Sequence, residues 1–205
     1  MYIPKNHNFN ALIEKYGSPL YVYDSKHIKN QLKRLKSCFP LENLEIHYAV
    51  KANSHPEIIQ LLHAEGAGID AVSIEETEIA LDEGVNHKDI FFTPSGASFS
   101  EIETAVSRGI QVTIDSISQL RKWAEKFPDT PLCLRFNPKI KAGGSEKISV
   151  GHKASKFGIA IDNIPEVESI VSEFNLNVAG VHMHIGSDVY QINAMREAIK
   201  SLHII

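Results

Sequence analysis

The feature that most constrains this chain is a beat. From residue 45 onward, short apolar runs alternate with helix-like stretches at intervals of roughly 20–24 residues, the spacing of βα units. The runs that read as strands are EIHYAVK (45–51), GIDAVS (68–73), DIFFTP (89–94), QVTID (111–115), PLCLRFNP (131–138) and VAGVHMHIGS (178–187). Helical patterns fill 55–65, 74–83, 99–108, 117–127, 164–174 and the stretch from 192 to the end. The punctuation agrees with the periodicity. Ser54 with Glu57, Ser73 with Glu76, Ser98 with Glu101 and Ser116 with Gln119 have the S-x-x-E/Q spacing of a capping box. Gly66, Gly84 and Gly109 stand where three of these helices must stop. An α/β protein with a parallel sheet follows.

Side-chain alternation narrows the architecture, because successive strand residues face opposite sides. In 45–51, Ile46, Tyr48 and Val50 share one face while His47, Ala49 and Lys51 share the other. In 131–136, Leu132, Leu134 and Phe136 oppose Cys133 and Arg135. In 178–187, Ala179, Val181, Met183 and Ile185 oppose Val178, Gly180, His182 and His184. Each of these strands has an apolar face for helices to cover and a second face that ends in polar groups. A doubly wound sheet, buried on both faces, reads apolar throughout. A (β/α)8 TIM-type barrel has a helix-covered outside and an inside that turns polar at its C-terminal mouth. The barrel is the expected fold. Six strand–helix units are legible and a barrel needs eight, so the chain is expected to be an incomplete barrel.

Residues 1–44 read as an N-terminal segment leading into the barrel, with a strand-like PLYVYD (19–24) and an amphipathic helix over 25–37; residues 45–205 read as the barrel domain. The connection 139–158, KIKAGGSEKISVGHKASKFG, is longer than an ordinary βα loop, and loops of that length inside a domain tend to carry function.

Composition excludes several classes. A net charge of −4 over 205 residues gives no basic patch for nucleic acid or a membrane surface. The N-terminus has no apolar signal segment and no run is long enough to span a bilayer, so a cytoplasmic location is expected. Cys38 and Cys133 form no CxxC pair, which suits a reducing compartment.

The candidate chemistry sits at the C-terminal ends of the strands: Lys51, Asp70, Arg135 and His184. A lysine desolvated in such a cleft becomes a nucleophile towards carbonyl carbon; a strand-terminal lysine also serves simply as a solvated surface group. The pair His182 and His184 has the H-x-H spacing of a metal site, but no third and fourth ligand stands at a matching strand end, and no metal is expected.

YAVKAN (48–53), GIDAVSIEE (68–76), SKFGI (155–159) and HIGS (184–187), in this order, resemble the group IV amino-acid decarboxylases that use pyridoxal 5'-phosphate on an alanine-racemase-like barrel, and within them the diaminopimelate decarboxylases. The resemblance runs from about Pro19 to the end of the chain. It implies that Lys51 holds the cofactor covalently and that His184 stacks on its ring. Gly186 and Ser187 would meet the phosphate, and Asp70 and Arg135 would line the cofactor side of the barrel, Arg135 near the phenolic oxygen. Glu76 and Lys156 match further positions of the family pattern. As bland counterparts, Glu76 serves as the N3 partner of Ser73, Lys156 is solvated in its loop, Asp70 and Arg135 pair locally, and His182 is structural. The segment NPKIKAGGSEKISVGHKASKFGI, with I-S-x-G ahead of S-K-F-G, is most similar to the diaminopimelate enzymes and implies conversion of meso-2,6-diaminopimelate to L-lysine and CO2. Another decarboxylase of the class (ornithine, arginine or carboxynorspermidine) is the alternative, followed by a non-catalytic pyridoxal-phosphate barrel and a pseudo-enzyme built on a truncated barrel.

The family also implies a homodimer with shared sites. A later glycine-rich phosphate loop, an acidic partner for the pyridine nitrogen and a C-terminal β-domain are absent from this sequence. The 205-residue chain is therefore expected not to decarboxylate by itself, and lysine formation by it would overturn that.

Overall fold

The computed structural model describes residues 7–140, 157–186, 189–203 and 205. Its strands are β1 (His47–Ala49), β2 (Gly68–Ala71), β3 (Ile90–Phe92), β4 (Gln111–Ile114), β5 (Leu132–Asn137), β6 (Ile159–Ala160) and β7 (Val178–Met183). Its helices are α1 (Phe9–Tyr16), α2 (Ser25–Ser37), α3 (Pro56–Ala64), α4 (Ile74–Asp82), α5 (Phe99–Ser107), α6 (Ile117–Lys126), α7 (Ile164–Phe174) and α8 (Ile192–Leu202). The six expected strand–helix units are all present.

All strand pairs are parallel, in the order β1-β2-β3-β4-β5, with β6 and β7 both paired to β5. Apart from the two-residue β6, the order β1 to β5 and then β7 follows the chain without reversing. Crossovers between parallel strands are right-handed, so a sheet that grows in one direction puts its helices on one face. A doubly wound sheet reverses at a switch point and covers both faces. Among the described residues this sheet is the wall of a (β/α) barrel that does not close, β1 and β7 having no pairing between them.

The main core lies between the sheet and the helices. Val50, Ile69, Phe92, Ile114, Leu132 and Phe136 from the sheet side meet Ile59, Ile102, Leu120, Trp123 and Ile170 from the helices, all buried. Burial of side chains of this size contributes about 1.5–3 kcal/mol each before ordering costs. A second cluster, Leu32, Ile58, Leu62 and Ala67, holds α2 against α3. Lys36 Nζ strengthens that seam by donating to the carbonyls of Glu65 (2.8 Å) and Gly66 (3.0 Å) at the end of α3. It satisfies carbonyls that the helix itself leaves unpaired.

Gly66, Gly84 and Gly109 all adopt positive φ just past a helix, as expected of helix stops. Ser98 and Glu101 form a complete capping box. Ser73 and Ser116 accept from the N3 amides, but Glu76 reaches back to the Val72 amide and Gln119 to the Ala97 carbonyl. The Ser54 box does not form. Pro56 occupies the first turn of α3 and His55 becomes the cap residue, with no side-chain bond.

Four other differences have local causes. The first strand ends at Ala49, and Val50–Ala52 turn in a 3-10 helix closed by the Asn53 amide on the Val50 carbonyl and by Tyr48 Oη on the Asn53 carbonyl. The strand-like 19–24 has no ladder partner among the described residues and is not a strand. Helix α1, unforeseen, starts at Asn8, whose side chain accepts from the Ala11 amide. Pairing between β5 and β7 shifts register at Leu132/Cys133, so Val178 stands opposite Leu132 and Gly180 opposite Cys133. The extra residue, Ala179, forms a bulge that moves Val178 onto the helix side, where it packs on the main core. The face expected for Val178 is thereby corrected.

Candidate active site

The inner face of the sheet is built by strand parity and register. Ala49 pairs with Asp70, Asp70 with Phe91, Thr113 with Cys133, and Arg135 with His182. Going towards the C-terminal ends, this face becomes polar: Asp70, Thr93, Asp115, Arg135, Asn137, His182 and His184. Thr93, Asp115, Arg135 and Asn137 are buried there. At the opposite end His47 lies over Gly68, where a Cβ would stand 2.5 Å from the imidazole, and meets Phe91 edge-on at 4.8 Å. That end is filled by packing, so the open chemistry belongs to the C-terminal mouth.

Lys51 lies in the 3-10 turn that follows β1 and is exposed. The cleft burial expected for it is not provided by the described residues. It makes no hydrogen bond or ion pair among them, and its charge is felt by His184. Burial, then Arg135 and Lys51, pull the His184 imidazole below its ordinary pKa, with Asp70 opposing. Arg135, Lys51 and Asp70 thus all act electrostatically on His184. The adjacent Gly186 has φ of 140°, a backbone region open to glycine.

Arg135 is held by groups that sequence reasoning did not single out. Its Nη1 donates to Ser95 Oγ (3.0 Å), and Ser95 Oγ donates to Asp115 Oδ2 (2.7 Å). Thr93 Oγ1 donates to Asp70 Oδ1 at 2.5 Å. The Phe157 ring lies 5.1 Å from the guanidinium carbon, within cation–π range. Gly158 makes that approach feasible: a Cβ there would come within 2.9 Å of the Phe136 carbonyl carbon and 3.2 Å of the Arg135 oxygen. Phe157 and Gly158 of the SKFGI motif therefore cover the end of β5. The signal for Asp115 was present in the alternation Gln111, Thr113, Asp115, which puts it on the inner face at the mouth. Its link to Arg135 through Ser95 needed the strand order.

Burial raises the Asp115 carboxyl above its usual range, with the Ser95 hydrogen bond and Arg135 opposing. Burial lowers the Arg135 guanidinium, with Asp115 and Asp70 opposing. His182, behind His184 on the same face, is lowered to about 4, first by burial, then by Arg135 and His184. Its Nδ1 is buried without a hydrogen-bond partner among the described residues. Glu76 accepts from the Val72 amide at 2.8 Å and secures the turn from β2 into α4. Ser187 and Lys156, also expected at the site, lie outside the described residues. Among the described residues no three His, Cys, Asp or Glu side chains form a metal-holding group, and no helix is long and apolar enough to cross a membrane.

Comparison with known proteins gives a consistent answer. Residues 25–205 match the family model described as pyridoxal-dependent decarboxylase, pyridoxal binding domain. A diaminopimelate decarboxylase of Methanothermobacter thermautotrophicus is 34% identical over 194 residues, which is 93% of this chain and 45% of that protein. The crystal structure of diaminopimelate decarboxylase from Helicobacter pylori complexed with L-lysine superposes with a TM-score of 0.86 at 31% identity, covering 96% of this chain and 52% of that one. A lysine/ornithine decarboxylase from Vibrio vulnificus complexed with putrescine gives 0.81 at 27% identity, over 96% and 50%. The chain spans about half the length of the curated relatives it matches.

Proposed function

The chain belongs to the pyridoxal-dependent decarboxylase family, whose pyridoxal-binding domain it carries, and on that premise we propose that the protein decarboxylates meso-2,6-diaminopimelate to L-lysine. The observation that carries this reading is the convergence at one sheet end of a lysine without a partner among the described residues, an imidazole kept neutral, and a buried arginine between two carboxylates. The relatives named diaminopimelate decarboxylase support the substrate, being 34% and 31% identical against 27% for the lysine/ornithine enzyme.

These residues fit pyridoxal phosphate in the chemistry of their donors. The group is a planar aromatic aldehyde carrying an anionic phosphate, and when bound it supplies an electron sink for the pair left as CO2 departs. Lys51 offers the primary amine that an aldehyde requires. His184, uncharged near neutral pH, offers a flat ring against an aromatic face without placing a cation there. Arg135 offers a fixed positive charge for an anionic oxygen, and Asp70 and Asp115 keep that charge from standing alone in a buried site. Phe157 shields one side of the guanidinium from water. Gly186 opens the backbone beside His184, where Ser187 is assigned to the phosphate by its motif. Lys156 is assigned to the site on the same basis, and Glu76 acts by positioning the turn after Asp70. The native protein is read as a cytoplasmic homodimer acting on a free amino acid, on the strength of the family resemblance.

Borohydride trapping tests the reading. The protein is mixed with near-stoichiometric pyridoxal phosphate, reduced and digested, and the modified lysine is found by mass spectrometry. One label on Lys51, lost in Lys51→Arg, supports the proposal. Labels scattered over surface lysines overturn it. With the complete protein, lysine formation from meso-2,6-diaminopimelate must exceed amine formation from ornithine or arginine.

A further inference from the structure

Two hydroxyls at the end of β3 each serve a carboxylate from a neighbouring strand. Thr93 donates to Asp70 beyond β2's centre, and Ser95 donates to Asp115 just past β4. Only Ser95 also touches the arginine, accepting from Arg135 Nη1 at 3.0 Å. A hydroxyl has one proton to give. Because Ser95 gives it to Asp115, its lone pairs are turned towards Arg135. Asp115 thus sets the direction of the Ser95 dipole and supplies the opposite charge behind it.

We propose that Asp115 and Ser95 are positioning residues that lock the Arg135 guanidinium at the mouth of the sheet, presenting it as a fixed charge to the anionic oxygen of a ligand seated against Lys51. The ligand's identity rests on the pyridoxal-phosphate reading above; the lock itself does not.

Simpler duties for Asp115 are already filled. The cap of α6 is Ser116, whose hydroxyl accepts from the Gln119 amide, so Asp115 is not needed to start that helix. A side chain only 7% exposed gains nothing from solvation, and a carboxylate is a costly filler for such a place. The cost has a counterpart if the charge is needed opposite Arg135. Phe157 on the guanidinium face closes another direction of escape. The arginine is therefore restrained by a carboxylate–hydroxyl chain on one N–H and by a ring on its face, and rotation of its head requires breaking the first.

Two readouts test the lock. Arginine-selective 15N NMR of the protein reports rotation of the guanidinium: a locked head gives separate, slowly exchanging Nη–H signals. Those of Arg135 are expected in the native protein and in Ser95→Thr, and are expected to collapse in Asp115→Asn and Ser95→Ala. The second readout is the pyridoxal-phosphate dependence of Lys51 trapping. Asp115→Asn and Ser95→Ala are each expected to weaken it about tenfold, the scale of one hydrogen bond to a charged group. In an Arg135→Lys background either change should add less than about twofold, since residues acting through one another are not additive. Unchanged Arg135 signals in Asp115→Asn, or losses that multiply with Arg135→Lys, overturn the proposal. Signals that collapse as expected in a protein whose native form does not trap at Lys51 uphold the lock and overturn the cofactor reading instead. Should Asp115→Asn not fold, Ser95→Ala against Ser95→Thr makes the same comparison, and equal behaviour of those two overturns the lock.

Discussion

His182 sits behind His184 on the inner face, where burial and the neighbouring Arg135 cation disfavour its protonated form. Its folded-state pKa of about 4 lies below the ordinary 6.5. The unfolded chain therefore binds the proton more readily, and stability rises with pH between those two values. The contribution is complete above about pH 6.5 and is lost as the pH falls towards 4. By pH 4.5 the native protein should lose about 2–3 kcal/mol more, relative to pH 7, than His182→Gln does. Paired urea titrations at the two pH values measure this, and parallel losses in both proteins would show that the imidazole is not held neutral by the fold. Lys51, Asp70 and His184 are singled out in the sequence by the motifs they sit in, and Arg135 by the alternation that puts it on the polar face of its strand. Ser95 and Asp115 were not assigned, since alternation tells which face a residue takes but not which neighbour the strand order gives it.

At the scale of the element, the caps separate local grammar from what the fold actually uses. Ser98 accepts from the Glu101 amide while Glu101 returns a bond to the Ser98 amide. Ser54 has the same spacing to Glu57 but makes no capping bond. Ser98→Ala should cost about 1 kcal/mol and Ser54→Ala less than about 0.5 kcal/mol, read from urea midpoints. Equal losses would mean that the proline-started helix α3 uses Ser54 after all. The spacing could not distinguish the two sites, because Pro56 moves the start of α3 one residue past the serine. The bulge at Ala179 was hidden for a related reason. An uninterrupted apolar run carries no mark of a register shift, which arises only when β7 is laid against β5. Gly158 is a third instance, with φ of 81° and no room for a Cβ against the end of β5. Gly158→Ala should both strain the backbone and push Phe157 off Arg135, lowering the apparent affinity for pyridoxal phosphate in the trapping assay several-fold more than Gly84→Ala, which has positive φ but open space around it.

Across the whole molecule, stability should grade from the centre of the sheet to its ends. β3 and β4 each have a strand on both sides, whereas among the described residues β1 pairs only with β2 and β7 only with β5. The β7 end is also thinly covered: Val181 is 39% exposed, and α8 leaves Ile192 at 66%, Met195 at 42% and Ile199 at 49%. Opening α8 therefore gives up little buried apolar surface, while opening β4 breaks two ladders and the core around Trp123. Local opening free energies follow such differences. Hydrogen exchange followed by mass spectrometry should find amides of Ile90–Phe92 and Gln111–Ile114 exchanging on the order of a hundredfold more slowly than those of Ile192–Leu202. Dilution decides what an opposite result means. If α8 is as protected as β4 at high concentration and loses that protection on dilution, a second copy covers this face. If the protection persists at every concentration, α8 draws stability from within the chain, and the gradient argued from the open edge is wrong.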